Sequence, residues 1–199
     1  KVRLKNGKIA SVTIGGTVSP AGGNFEEPVT QATLKVVGAF HGLSRERSDA
    51  RKYPAIHPID SWSKYRGVVD MERVEQARSI LKRSNEINQM MKVIGEEGTS
   101  AEDYIVYQKG ELLDAVYLQQ NSFDPIDAAC DPDRQIHEFN VLYDVLTRDF
   151  ALSDKKEIRA FFNQVRQEFL DWHNTVFRTP EFEAQEKRLK DFYLSKAAG

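Results

Sequence analysis

The sequence contains a single cysteine, Cys130, and no apolar run long enough to cross a membrane. One thiol excludes an internal disulfide and a metal site built from several cysteines, so we expect Cys130 to be a small, at least partly buried hydrophobic side chain. A membrane-spanning helix needs about 18 consecutive apolar residues, and no basic segment followed by an apolar one opens the chain. The formal charge of -2 gives no overall attraction to nucleic acid or to an anionic membrane. We therefore expect a cytoplasmic chain that binds no nucleic acid and is not itself inserted into a membrane.

Motifs for catalysis and metal binding are also missing. The phosphate-binding pattern G-x-x-x-x-G-K-[ST] is absent, because no lysine and hydroxyl residue follow Gly22-Gly23 at the required positions. The four histidines lie in different segments, and no two of them have the i, i+4 spacing of a zinc site. A serine or cysteine triad stays open, although no G-x-S-x-G pattern marks a nucleophile. The chain by itself is therefore predicted to be catalytically inactive and to hold no metal.

The first 66 residues are predicted to combine a short strand, a helix and loops. Residues 8–14 are rich in β-branched side chains and bounded by glycines, which indicates a strand. No partner strand is evident before them, so we expect the sequence to be a piece of a longer domain. Residues 28–43 begin with a proline and carry apolar residues at three-residue spacing, which indicates a helix. Residues 52–61 contain two prolines and are predicted to form a loop, since a residue before proline avoids the helical region.

From about Val68 onward the pattern is helical almost to the end of the chain. Three apolar stripes recur at helical spacing. Their members are Val74, Ala77, Ile80, Leu81, Ile87, Met91 and Ile94; Ile136, Phe139, Leu142, Tyr143, Leu146 and Phe150; and Ile158, Phe161, Phe162, Val165, Phe169, Trp172 and Val176. Helix starts are indicated by Thr99 with Glu102, Asp131-Pro132, Asp154 with Glu157, and Thr179-Pro180. These signals predict about five helices packed as a bundle, and hence a mainly α fold with a short N-terminal β segment.

Three stretches resemble patterns of one protein family. Residues 19–34, SPAGGNFEEPVTQATL, are similar to S-P-P-G-G-D-x-S-E-P-V-T-x-x-T-L, and residues 53–61, YPAIHPIDS, to aromatic-P-A-[IV]-x-x-[LI]-x-S. Residues 118–127, LQQNSFDPID, are close to L-Q-Q-N-A-F-D-x-V-D. All three patterns occur in the catalytic A subunits of V/A-type rotary ATPases. Because they follow in the same order at compatible spacing, the chain resembles the C-terminal portion of such a subunit, without its phosphate-binding loop.

The resemblance implies a division of the chain and a role for two aromatic residues. Residues 1–66 would be the C-terminal end of the nucleotide-binding domain, and residues 67–199 the C-terminal helical bundle domain. Tyr53 and Phe123 match the two aromatic positions that flank the adenine of ATP or ADP. Stacking of a base on an aromatic ring is worth about 1–3 kcal/mol, which suits this role. The phosphates and Mg²⁺ would be held by upstream parts of the full subunit.

An acidic turn is the second feature to which the resemblance assigns a role. Glu96, Glu97, Glu102 and Asp103 lie between two predicted helices, at the position where F-type β subunits carry the acidic sequence D-E-L-S-E-E-D. The resemblance implies that they contact the central stalk rotor subunits. The alternative is a solvated turn in which the acids cap a helix.

The function implied by the resemblance belongs to an assembled machine. It is ATP hydrolysis or synthesis between alternating A and B subunits, coupled to proton or sodium transport, in a complex peripheral to the membrane. The sequence departs from the family pattern at residues 39–43, which lack the usual tryptophan, and at residues 104–107, which replace L-T-L-E. An alternative from another class is a helical protein-interaction module that binds no nucleotide. A piece of an F-type β subunit or of a flagellar-export ATPase is a closer alternative, against which the E-P-V-T and Q-Q-N-S-F-D stretches argue.

Overall fold

The computed structural model describes residues 2–198, and the chain divides into two units with a boundary between Phe40 and His41. The first unit begins with a short antiparallel hairpin. Strand β1 (Val2–Arg3) pairs with β2 (Ile9–Ala10), with Val2 opposite Ala10. The predicted strand over residues 8–14 is thus wrong in length, and the expectation that no partner precedes it is also wrong. Because β1 is only two residues long, it gives residues 11–14 no backbone partner, and Val12 is 91% exposed.

Helix α1 (Pro28–Val36) starts where the proline predicted and ends earlier than expected. Glu27 caps it, since its carboxylate accepts from Thr30 N at 3.0 Å and Thr30 Oγ1 at 2.9 Å. Val37 is extended and is followed by Gly38, so the helix stops there, and Ala39–Phe40 forms strand β3 instead of a further helical turn. The predicted end at residue 43 is therefore wrong.

The second unit contains one helix that the sequence patterns did not indicate and the five that they did. The short helix α2 (Arg45–Asp49) and strand β4 (Trp62–Ser63) come first. The five long helices are α3 (Met71–Ile94), α4 (Ala101–Val116), α5 (Pro132–Thr147), α6 (Lys155–His173) and α7 (Pro180–Leu194). The mainly α fold is confirmed.

Helix caps set the ends of the bundle helices. Asp131 accepts from Arg134 N at 2.9 Å at the start of α5, and Asp154 accepts from Glu157 N at 3.0 Å at the start of α6. The predicted cap at Thr99 is wrong by one residue: Ser100 Oγ accepts from Asp103 N at 3.1 Å, whereas Thr99 is buried. A side chain at the N-cap satisfies an otherwise unpaired amide and stabilises a helix by about 1 kcal/mol.

The core lies where α4 packs between α3 and α6, with α7 against α6 and α5 touching α3 and α4. Gly110 brings α4 close to α3, because a Cβ atom there would lie 2.2 Å from Ser84 Cβ. The aromatic side chains of α6 are central to the core, and Phe169 and Trp172 are both 0% exposed. The apolar stripes are thus buried along most of their length.

Three stripe members and the cysteine depart from expectation. Ile94 is 50% exposed, since it ends α3, and Val176 is 57% exposed, since it follows the end of α6; Ile136 is also partly exposed. Cys130 is exposed rather than buried, because it lies in the irregular segment that leads to the cap of α5.

Candidate functional site

Tyr53 lies on the 52–61 loop, which backbone hydrogen bonds fix from one side. Ser44 N donates to Ala55 O at 2.8 Å, and His57 N donates to Gly42 O at 2.7 Å, so the loop pairs with the segment before α2. The side chain of Tyr53 is largely solvent-accessible, since the residue is 53% exposed. The loop is therefore ordered by its backbone, while the ring stays available for a ligand.

Arg78 of α3 fixes the same loop from the other side. Its guanidinium donates to Pro58 O at 2.9 Å, to Ile59 O at 2.6 Å and to Ser61 O at 3.2 Å. A planar guanidinium with several donors is well suited to gather carbonyl groups in this way. The 52–61 loop is thus attached to the helical bundle.

Phe123 lies at the tip of the 117–131 loop between α4 and α5. Asn121 Oδ1 accepts from Phe123 N at 3.1 Å, and Asp124 Oδ1 accepts from Ile126 N at 2.7 Å and from Asp127 N at 3.1 Å. These side-chain turns hold the backbone, yet Phe123 is 95% exposed. A phenylalanine left in water forgoes about 1.5–3 kcal/mol of burial, so this ring contributes little to the stability of the fold.

The two loops that carry these rings touch each other. Gln120 N, three residues before Phe123, donates to Tyr53 O at 2.9 Å. Two residues that are 70 positions apart in sequence therefore lie on adjacent, hydrogen-bonded loops of the same unit. Each of these two hydrogen-bonded loops therefore carries an exposed aromatic ring.

A buried carboxylate beneath the loops is a residue that the sequence analysis missed. Asp114, near the end of α4, is 5% exposed and forms ion pairs with Arg47 of α2 and with Lys52, the latter at 2.6 Å. Burying a charge is costly unless it is paired, so these contacts offset the cost of burying the carboxylate. Its position inside the apolar run Leu112–Val116 is the signal that could have identified it.

A second buried polar cluster lies under the 117–131 loop. Arg134 of α5 bonds to Glu138 at 2.6 Å, to His173 O at 2.6 Å and to Ile126 O at 3.4 Å. Burial raises the pKa of Glu138 although Arg134 opposes this shift. Burial also lowers the pKa of His173 to about 4, so its imidazole is neutral at pH 7 even with Glu138 at 3.9 Å.

Glu96 and Glu97 lie in the turn between α3 and α4, whereas Glu102 and Asp103 belong to the first turn of α4, and ion pairs divide these four acids into two kinds. Glu96 pairs with Arg159 at 2.5 Å, and Asp103 pairs with Arg83 at 3.0 Å. Glu97 and Glu102 are exposed, and among residues 2–198 neither side chain has an ion pair. The outward negative charge of the turn and of the start of α4 is therefore that of Glu97 and Glu102, since cations of the bundle neutralise the other two.

Lys155 also ties the turn to the bundle. Its ammonium group donates to Glu96 O at 2.6 Å and to Glu97 O at 2.9 Å. Because Lys155 belongs to the first turn of α6, the backbone of the acidic turn is attached to a helix besides the two that it connects. The turn is thus held in place by a third helix of the bundle.

Residues 2–198 contain neither a group of metal ligands nor a membrane-spanning helix. Among residues 2–198 no three histidine, cysteine, aspartate or glutamate side chains are grouped as metal ligands. In the same residues, no helix has the length and apolarity needed to cross a membrane. A cavity of about 390 Å³ lies between α5 and α7, lined by residues that include His137, Phe182 and Glu186, but not by Tyr53 or Phe123.

Comparison with known proteins relates both parts of the chain to ATP synthase subunits. Residues 2–63 match the nucleotide-binding domain of the ATP synthase alpha/beta family, and residues 71–159 match the C-terminal domain of V and A type ATP synthase. The class is therefore that of ATP synthase subunits that carry a nucleotide-binding domain followed by a helical domain. The chain belongs to the V-type ATP synthase alpha chains, that is, the A subunits, and is homologous to their C-terminal region.

Individual relatives support this assignment. The chain is 62% identical over 195 residues to the V-type ATP synthase alpha chain of Borrelia turicatae, covering 98% of this chain and 34% of that protein. It is 59% identical over 196 residues to that of Treponema denticola, covering 98% of this chain and 33% of that protein. The chain thus spans about a third of the length of the curated relatives it matches. These matches do not favour an interaction module that binds no nucleotide.

A solved structure supports the fold. The ATP synthase subunit NeqB from Nanoarcheaum equitans superposes with a TM-score of 0.54 at 16% identity, over 65% of this chain and 32% of that one. At this identity the likeness concerns the fold alone.

Proposed function

We propose that this chain is the part of a V-type ATP synthase alpha chain that seats the adenine of ATP or ADP, with Tyr53 and Phe123 as the two rings that contact the base. The observation that carries the proposal is the hydrogen bond of 2.9 Å between Gln120 N and Tyr53 O, because it joins two loops that each hold an exposed aromatic ring. Membership of a nucleotide-binding family supplies the ligand class.

The two rings bind the base, whereas the phosphates need other groups. Stacking contributes about 1–3 kcal/mol per base and does not depend on the number of phosphates. In this proposal the metal and the phosphates are bound by the remainder of the subunit, because the sequence carries no G-x-x-x-x-G-K-[ST] pattern to hold them. The chain alone is accordingly inactive, and titration with ATP should show very weak or undetectable binding. Micromolar affinity would contradict this arrangement.

The helical part is proposed to transmit motion to the rotor. We place the boundary between the nucleotide-binding end and the helical domain at residues 66 and 67, and the two family matches, which end at residue 63 and begin at residue 71, support this. The acidic turn is the proposed contact with the central stalk, and its exposed acids Glu97 and Glu102 would meet basic rotor residues. Glu96 and Asp103 would instead hold the turn on the bundle through their arginines.

The activity belongs to the assembled complex. In this proposal the chain alternates with B subunits, hydrolyses or makes ATP at their interface, and drives proton or sodium transport from a cytoplasmic position peripheral to the membrane. Nucleotide binding biases one position of the helical domain, and the rotor contact biases another, so the two sites are coupled.

The test is steady-state ATP hydrolysis by the assembled ATPase with Tyr53 replaced. Tyr53→Ala removes the ring and should raise KM for ATP by about 5- to 150-fold, the equivalent of about 1–3 kcal/mol. Tyr53→Phe keeps a ring and is the matched control, with KM within about twofold of the parent enzyme. An unchanged KM in Tyr53→Ala would remove this residue from the base site.

A further inference from the structure

Asp114 has the contacts of a residue that sets the position of the two aromatic loops. Its carboxylate is 5% exposed and has a separate partner for each oxygen: Arg47 Nη1 for Oδ1, and Lys52 Nζ at 2.6 Å for Oδ2. Lys52 is the residue immediately before Tyr53. One carboxylate of α4 therefore fixes the start of the loop that carries the first ring.

The same residue is connected to the loop that carries the second ring. Gln119 Nε2 donates to Asp114 O at 3.2 Å, and Arg47 Nη2 reaches Leu118 O at 3.5 Å. Gln120, next in the chain, makes the hydrogen bond to Tyr53 O. Asp114 thus contacts the first residue of one loop, Lys52, and an early residue of the other, Gln119. The hydrogen bond between the two loops is made by the next residue, Gln120.

The side-chain partners of Asp114 distinguish it from the rest of the core. Neighbouring positions of α4, such as Leu112 and Leu113, are buried and apolar, and they pack within the hydrophobic core. The carboxylate of Asp114 binds groups of α2 and of the 52–61 loop. A buried charge at this place contributes little to stability compared with an apolar residue, so its value lies in the geometry that it imposes.

We propose that Asp114 is a positioning residue for the proposed adenine site formed by Tyr53 and Phe123. Through its ion pairs with Arg47 and Lys52, Asp114 holds the Tyr53 loop against the Phe123 loop. The inference rests on the proposed function, since it assumes that the two rings bind the base. It assigns no contact with the nucleotide to Asp114 itself.

The experiment uses Asp114→Asn in the assembled ATPase, because asparagine keeps the shape and removes the charge. KM for ATP is expected to rise by about three- to tenfold, which corresponds to about 0.7–1.4 kcal/mol, with kcat within about twofold. The inhibition constant of inorganic tripolyphosphate, which has no base, is expected to stay within about twofold. A general structural defect would instead weaken ATP and tripolyphosphate together, and that result would overturn the proposal.

Glu168→Gln is the matched control. Glu168 is also a buried carboxylate, 3% exposed, and pairs with Arg188 at 2.8 Å on the α6–α7 side of the bundle. Its other hydrogen bond comes from Gln164 of α6, and neither partner belongs to an aromatic loop, so its loss should leave KM for ATP unchanged. An equal rise of KM in both variants would show that any lost buried charge has this effect, and would overturn the proposal.

Lys52→Met serves if Asp114→Asn does not fold. The side chain of Lys52 is 34% exposed, so methionine can replace the aliphatic part of the lysine and introduces no charge at position 52. It removes one of the two ion pairs and should give a smaller rise in KM for ATP, about two- to fourfold, again with tripolyphosphate unaffected. No change in KM would overturn the proposal.

A measurement on the chain itself separates this inference from the function on which it rests. In Asp114→Asn or Lys52→Met, the amide of Gln120 should exchange with solvent at least about tenfold faster, because it donates to Tyr53 O in the parent. Unchanged exchange would overturn the positioning role, whichever residues bind the nucleotide. Faster exchange, together with unchanged KM in Tyr53→Ala and Phe123→Ala, would refute the adenine site and the inference with it.

Discussion

Replacing Phe123 by alanine should separate ligand binding from stability. The residue is 95% exposed, which leaves about 5% of its surface buried. Full burial of a phenylalanine side chain is worth about 1.5–3 kcal/mol, so the ring contributes on the order of 0.1 kcal/mol to folding. In the assembled enzyme, however, a ring stacked on the base contributes about 1–3 kcal/mol. We therefore expect an unchanged free energy of unfolding and a KM for ATP raised by about 5- to 150-fold.

The assay combines urea unfolding of this chain with ATP hydrolysis by the complex. Phe169→Ala is the opposite control, because Phe169 is 0% exposed and its loss should cost about 3–5 kcal/mol of stability. Phe123→Trp keeps an aromatic face and should retain a KM near that of the parent. A loss of more than about 1 kcal/mol of stability in Phe123→Ala would mean that the ring is buried in solution. An unchanged KM would mean that it does not touch the base.

Three further perturbations test other parts of the structure. Gly110→Ala should lower the urea midpoint by the equivalent of about 1–3 kcal/mol, because the new Cβ would lie 2.2 Å from Ser84 Cβ. This loss is expected even though alanine favours helices. An unchanged midpoint would contradict the close approach of α3 and α4. Burial lowers the pKa of His173 to about 4, against about 6.5 when the chain is unfolded, so the free energy of unfolding should be unaffected by this group above pH 6.5 and should fall by up to about 3 kcal/mol as the pH drops to 4. His173→Gln should flatten that part of the stability profile in pH-dependent urea unfolding. An equally steep profile would refute a buried neutral imidazole. Glu97→Gln combined with Glu102→Gln should reduce ATP-driven ion transport per ATP hydrolysed, with hydrolysis by the complex retained, and intact coupling would remove the exposed acids from the proposed rotor contact.

Local sequence patterns determined the five long helices and indicated the protein family of the chain. Apolar residues at helical spacing and capping residues such as Asp131 and Asp154 act within a few positions, so each helix of the bundle could be predicted without knowledge of its neighbours. The three motifs indicated the family in the same way, since they are continuous segments. Two of these motifs contain Tyr53 and Phe123, so both rings could be named as candidates from the sequence.

Tertiary structure decided what depends on residues far apart in the chain. The length of β2 depends on its partner strand. Asp114 acquires its role only because the fold places Arg47 and Lys52 around it, which no spacing in the sequence reveals. Apolar periodicity records which face of a segment is buried, because that is a property of one helix. The partner of a buried charge is set by the packing of several elements, so it is known only once the chain has folded.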